Sequence, residues 1–146
     1  MRHTTMRCLL AGALTVFVLA SRPGPAMAKD RILISSDWGS VAADLADTAA
    51  AKALAAQLPL TIAMRDHLRQ EKTGNLPQPL PDMNRQTQFS KGTIGLWDSD
   101  HFVIYYRDGQ VPQPGIIILG QADGDVSIFD RPGSVTVQVE RQGPRP

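Results

Sequence analysis

One short stretch of the chain, residues 57–81, concentrates side chains that are able to do chemistry. It carries Arg65, His67, Glu71 and Lys72 ahead of a segment with three prolines. Histidine is the usual general acid or base, and arginine holds carbonyl or carboxylate oxygens. The stretch is therefore either a catalytic cluster or part of the architecture. We expect an ion-paired surface there first and a ligand contact second.

The residues after Pro59 decide which way these side chains point. Apolar and polar residues alternate through "LTIAM", which predicts a strand with one buried face. Parity places Arg65 and His67 on the same side of that strand, opposite Ile62 and Met64. If the apolar side faces the core, Arg65 and His67 face solvent or a cleft.

Aromatic residues are concentrated further along the chain, between positions 97 and 106. The simpler interpretation is core packing, because an aromatic strand in a small barrel fills volume. The sharper one is an apolar groove for a peptide or a small apolar ligand, with basic side chains as polar contacts. The ligand-binding candidates are Arg65, His67, Trp97, Tyr106 and Arg107.

No other chemistry has a motif in its favour, so no catalytic residue is assigned and no cofactor is predicted. His67 and His101 stand at no diagnostic ligand spacing, which argues against a metal site. The Asp and Gly residues near positions 98 and 124 lack the EF-hand pattern and serve turns. Nucleophile elbows and phosphate-binding loops are missing from the sequence as well.

The first 28 residues have the three-part pattern of a secretory signal peptide. Arg2 and Arg7 precede an apolar stretch over residues 8–20, and the segment ends in small residues at 26–28. That apolar stretch falls short of the roughly 20 residues that span a bilayer. We therefore predict cleavage after Ala28, no stable membrane anchor afterwards, and secretion into the bacterial periplasm.

Cleavage would also change the composition of the protein. It removes three arginines and the single cysteine, leaving 12 basic and 14 acidic residues. A nearly balanced, slightly acidic chain argues against a nucleic-acid partner, and a thiol nucleophile or a disulfide is excluded. Residues 29–146 fit a single domain with one core. The sequence does not indicate an oligomeric state.

The remaining pattern is mainly β. Short strands are predicted at "RILISSDWG", "LTIAM", "TIGLW", "HFVIYY", "GIIILG" and "SVTVQVE". The alanine-rich residues 48–58 predict one helix, begun by Asp47 or Thr48 and ended by Pro59. The segment "SVAADLAD" is left open between strand and helix, residues 75–90 are predicted as a long loop, and "GDVSIF" has room for one helical turn. Together these elements predict a small closed or nearly closed β-barrel.

Five landmarks in fixed order carry a family resemblance: "TAAAKALAAQLPLTIAM", "EKTGNLPQPLP", "GTIGLW", "HFVIYY" and "GSVTVQVER". With these landmarks the chain resembles the small bacterial cyclophilin-like fold proteins over about residues 31–141. The resemblance implies a cyclophilin-type β-barrel whose helix, at about 48–58, covers one open end. It does not imply isomerase activity, because the Phe-His-Arg and Gln-Gly-Gly-Asp strings of the prolyl isomerases do not occur in this sequence.

These observations favour a periplasmic module that binds a peptide or small ligand without catalysis. Two alternatives stay open at this point. One is a divergent peptidyl-prolyl isomerase that uses an arginine to stabilise the twisted imide. The other is a structural accessory of an envelope complex, suggested by the small size and the proline-rich loop.

Overall fold

A computed structural model describes residues 29–143 of the chain, so the predicted signal peptide lies outside the described residues. Ten strands occur in this range: Arg31–Ser36 (β1), Gly39–Leu45 (β2), Leu60–His67 (β3), Glu71–Asn75 (β4), Gln88–Phe89 (β5), Thr93–Trp97 (β6), His101–Tyr105 (β7), Gly109–Gln110 (β8), Ile117–Asp123 (β9) and Val135–Gln142 (β10). They are joined by one α-helix, Ala49–Gln57 (α1), and one 3₁₀ turn, Val126–Phe129.

Eight of the strands in residues 29–143 close into an antiparallel barrel in the order β1-β10-β3-β4-β7-β6-β9-β2. The predicted mainly β barrel is confirmed. The two remaining strands, β5 and β8, pair with each other in a separate small ribbon. Within the described part of the chain, no helix is both long and apolar enough to cross a bilayer.

Helix α1 begins and ends where the sequence predicts. The Thr48 hydroxyl accepts a hydrogen bond from the Ala51 N–H at 3.2 Å, and Leu58 ends the helix before Pro59. The buried side of the helix consists of three alanines and Leu54, which join the barrel core. Small side chains allow this close approach, so the helix packs onto the barrel as the resemblance implies.

The main core lies inside the barrel and is built by strict alternation. On β10, Val135, Val137 and Val139 are buried while the residues between them are exposed. The predicted strand "HFVIYY" is buried on both sides, because Phe102 and Ile104 face the interior core. Val103 and Tyr105, which face outward, belong to a second apolar cluster outside the barrel wall.

Three segments differ from the sequence prediction or resolve it. Residues 75–90, predicted as a long loop, end in strand β5, Gln88–Phe89, which pairs with β8. Most of "SVAADLAD" lies in strand β2, which is hydrogen-bonded between β1 and β9. Pairing with these two strands outweighs the preference of its alanines for a helix. Strand β4, Glu71–Asn75, was not predicted, because its polar composition has no β pattern. The proline-rich loop after it is held on the barrel by the buried side chains of Leu76 and Leu80.

Candidate functional site

A cleft lies on the outer wall of the barrel, across strands β3, β4, β6 and β7. Its volume is about 220 Å³. Seven residues line it: Arg65, His67, Glu71, Thr73, Trp97, Asp98 and His101. Three of the five predicted ligand-binding residues, Arg65, His67 and Trp97, therefore share one site.

The alternation of strand β3 is what turns the two basic residues outward. Ile62 and Met64 are buried in the core, whereas Arg65 and His67 are exposed. The register pairs Arg65 with Thr73 and His67 with Glu71 across the β3–β4 hairpin. Each basic residue thus meets a polar residue of β4 on the same outer face.

Glu71 and His67 form a hydrogen-bonded pair at the floor of the cleft. The His67 Nδ1 lies 2.9 Å from Glu71 Oε1, and the Gln70 amide donates to Glu71 Oε2 at 3.0 Å. Only 1% of the Glu71 side chain is exposed, against 47% of His67. A buried carboxylate accepts hydrogen bonds, so this contact places a proton on Nδ1 and orients the ring.

Arg65 has a different environment from the other cations of the stretch. Its guanidinium makes no ion pair or hydrogen bond with any other residue in the range 29–143, and it is exposed at the cleft. The expected ion-paired surface is therefore only partly present: His67 is paired, Arg65 is not, and Glu71 and Lys72 are buried. The unpaired guanidinium is available to a ligand.

The cleft backs onto the second apolar cluster. Trp97 packs against this cluster, and Tyr105 stacks on Phe89 with ring centroids 3.8 Å apart. The Trp97 Nε1 and the Tyr105 hydroxyl are both buried there. Burial and the negative charge of Glu71 raise the pKa of Tyr105. The phenol therefore stays protonated at neutral pH.

His101 contributes to the cleft wall and has polar neighbours of its own. Its Nδ1 lies 3.0 Å from Asp100 Oδ1, and its Nε2 lies 3.4 Å from the Asn75 amide nitrogen. Among residues 29–143, no group of three or more His, Asp or Glu side chains is arranged to hold a metal ion. The histidines of the cleft thus act as separate polar groups.

The other two candidates, Tyr106 and Arg107, lie in a second polar cluster at one end of the barrel. Tyr106 points inward and is 2% exposed; its hydroxyl donates to Asp66 Oδ1 at 2.6 Å. Arg107 is outside the cleft, where it pairs with Asp130 at 3.0 Å and places its guanidinium 5.9 Å from the Tyr106 ring centroid. Neither residue lines the cleft that contains Arg65.

The barrel-end cluster centres on Asp66 and Lys72; the sequence analysis named Lys72 as one charge of residues 57–81 and did not single out Asp66. Lys72 is fully buried, and its Nζ lies 2.7 Å from Asp66 Oδ1 and 3.0 Å from the carbonyl oxygen of Gly133. Arg69 adds a second cation to Asp66 at 3.2 Å. The alternation along β3 could have identified Asp66, because it places this carboxylate on the inward side of the strand with Ile62 and Met64.

Opposing effects act on the pKa of Asp66. Burial by itself raises it, but hydrogen bonds from Lys72 and Tyr106, together with the charges of Lys72 and Arg69, outweigh burial and lower it. The pKa of Tyr106 is raised, first by burial and then by the hydrogen bond to Asp66. Asp66 is thus a stabilised anion and Tyr106 a stable donor. Both are engaged within the protein, so the cluster serves structure.

Barrel topology and the capping helix are those of a cyclophilin-like β-barrel protein. The sequence profile of the Cyclophilin-like family matches residues 34–140. This range is most of the chain, and the protein belongs to that family.

The fold is also similar to a solved structure. The solution structure of a hypothetical protein from Archaeoglobus fulgidus superposes with a TM-score of 0.65 at 13% sequence identity, covering 82% of this chain and 100% of that one. At that identity the likeness shows the fold alone. None of the curated proteins compared matches the chain.

Proposed function

We propose that this protein is a binding module whose outer cleft takes a short apolar peptide segment or a small apolar ligand. The observation that carries the proposal is the unpaired guanidinium of Arg65, exposed in a cleft that it shares with the Trp97 indole. A concave site with an aromatic wall and a few polar groups is the usual form of a ligand site. A volume of about 220 Å³ suits one or two amino-acid residues.

An NMR titration with the blocked dipeptide N-acetyl-Leu-Phe N-methylamide tests this role. The expected result is saturable shifts at the Trp97 indole and at the backbone amides of β3 and β4. Arg65→Leu should weaken binding several-fold, because a hydrogen bond to a charged donor is lost. Arg141→Leu is the matched control, since Arg141 is an exposed arginine of β10 outside the cleft. Equal loss in both variants would contradict the proposal.

Export to the bacterial periplasm is part of the same proposal and is supported by the signal-peptide pattern of residues 1–28. Expression of the full chain in a bacterial host should yield a periplasmic protein whose first residue is Lys29. Intact-mass measurement of the recovered protein distinguishes this outcome from an unprocessed chain.

Prolyl isomerisation is the second candidate function, and the same unpaired arginine favours it. A free guanidinium beside an aromatic wall has the chemistry to hold the carbonyl oxygen of a twisting X-Pro bond. The binding role is preferred because no isomerase motif matches the sequence.

A further inference from the structure

The hydrogen-bonding state of His67 follows from its contact with Glu71. The Glu71 carboxylate accepts at 2.9 Å from Nδ1, so the neutral ring carries its proton on Nδ1. Its Nε2 has no partner among residues 29–143, and nearly half of the side chain is exposed at the cleft. The ring therefore presents a fixed hydrogen-bond acceptor to whatever occupies the cleft.

Arg65 presents the complementary group. It lies two residues before His67 on the same face of β3, so the two Cα atoms are about 6.8 Å apart along the strand. A guanidinium is only a donor. The cleft thus offers a donor and an acceptor side by side on one strand.

The charges that line the cleft restrict which ligands can bind between Arg65 and His67. Two carboxylates, Glu71 and Asp98, line the same cleft as the single unpaired cation Arg65. An anionic ligand would meet repulsion from both carboxylates, whereas a neutral one would not. A neutral ligand with one acceptor and one donor on opposite sides satisfies both Arg65 and His67.

We infer that the group recognised by this cleft is a secondary amide, whose carbonyl oxygen accepts from Arg65 and whose N–H donates to Nε2 of His67. The inference rests on the ligand-binding role proposed above and names the chemical class of its ligand. In a trans amide the oxygen and the N–H point in opposite directions, so an amide that lies along β3 between the two side chains turns its oxygen toward Arg65 and its N–H toward His67. An X-Pro imide has no N–H and leaves the His67 acceptor unpaired.

Glu71 is the positioning residue of this arrangement, and its effect can be observed without a ligand. Nitrogen-15 chemical shifts of the imidazole should show His67 as the Nδ1–H tautomer at a pH where the ring is neutral. Glu71→Gln should lose this fixed tautomer, since an amide can also donate. A wild-type His67 that carries its proton on Nε2 overturns the inference, whatever the cleft binds.

Three neutral probes of nearly the same shape test the amide directly by NMR titration: N-methyl-3-phenylpropanamide, N,N-dimethyl-3-phenylpropanamide and methyl 3-phenylpropanoate. Only the first has an N–H. It should bind about five-fold more tightly than the other two, as expected for one hydrogen bond. In His67→Phe the preference for the first probe should disappear.

The outcomes separate the two proposals. Equal binding of all three probes at the cleft overturns the secondary-amide inference and leaves the binding role standing. Failure of every probe to shift the cleft resonances overturns the binding role for small ligands and the inference with it. If the probe with an N–H still binds more tightly than the other two in His67→Phe, another group accepts its hydrogen bond, and the inference is overturned as well.

Discussion

The ammonium group of Lys72, buried inside the barrel, lies 2.7 Å from the carboxylate of Asp66. The two residues are register partners on neighbouring strands, β4 and β3. The carbonyl oxygens of Arg131 and Gly133 accept the other protons of the ammonium group. The loop before β10 is therefore attached to the barrel through one buried cation.

Lys72→Met should destabilise the protein strongly. The substitution keeps the length of the side chain but leaves Asp66 without its closest cation and two carbonyl oxygens without a donor. Removing one partner of a buried ion pair costs about 3–5 kcal/mol. Urea denaturation measures the change in the free energy of unfolding.

Lys52→Met is the control for that measurement, since Lys52 and its partner Asp47 are 67% and 84% exposed. An exposed pair contributes at most about 1 kcal/mol. If Lys52→Met and Lys72→Met lower the free energy of unfolding equally, the buried ion pair contributes no more to stability than the exposed one.

Asp66 should make stability depend on pH in the acid range. Its folded pKa is lower than the unfolded value of about 3.9. Its contribution is fully present above that unfolded value and is lost as the pH falls through the folded pKa. The free energy of unfolding should therefore decline below about pH 4, by up to about 1.4 kcal/mol per pH unit from this group.

Asp66→Asn should flatten this decline, although the variant is less stable at neutral pH. Asp47→Asn removes one exposed charge and should keep the wild-type slope. Denaturant titrations at a series of pH values give both slopes, and an unchanged slope in Asp66→Asn would assign the acid sensitivity to other carboxylates.

Gly74→Ala should destabilise the β3–β4 contact. A Cβ at Gly74 would overlap the carbonyl oxygen of Ala63 and lie 2.7 Å from Cγ2 of Ile62. Overpacking of this kind costs about 1–3 kcal/mol. Thermal unfolding should show a lower Tm, whereas Gly143→Ala, where no atom lies within 4 Å, should leave it unchanged.

Leu68→Asn should stabilise the β3–β4 turn. Leu68 and Arg69 have positive φ values of 52° and 53°, and the Gln70 N–H closes the turn onto the His67 carbonyl oxygen at 3.1 Å. Asparagine tolerates this conformation better than leucine, and the Leu68 side chain is 75% exposed. The expected gain is about 0.5–1 kcal/mol in urea denaturation. Leu68→Ala lacks the asparagine preference, so a similar gain there would assign the effect to loss of the exposed leucine.

A protease-coupled assay on an X-Pro peptide distinguishes the binding module from an isomerase. We expect the purified protein to leave the uncatalysed rate unchanged, because the His67 acceptor has no donor in an imide. Acceleration that is lost in Arg65→Ala and retained in Arg107→Ala would favour the isomerase and contradict the binding role. Arg107 is a suitable control because it pairs with Asp130 away from the cleft.

Local patterns in the sequence were sufficient to predict much of the barrel. The alternation at Val135, Val137 and Val139 predicts a half-buried strand. Thr48 and Pro59 mark the two ends of the helix. Both patterns can be read from the sequence because they depend only on residues that are close together in the chain. Strand β4 could not be predicted, since its residues are polar and its β structure comes from pairing with β3 and β7.

By itself, the sequence determined that Arg65 and His67 share one face, since parity along a strand is a property of the backbone. It also determined the family, through the order of five landmarks. Only the tertiary structure decided which residues join them. Pairing of β3 with β4 brings buried Glu71 to His67, and the closure of the barrel places Lys72 inside and Trp97 at the cleft. These contacts depend on strand register and barrel closure, which no local pattern encodes.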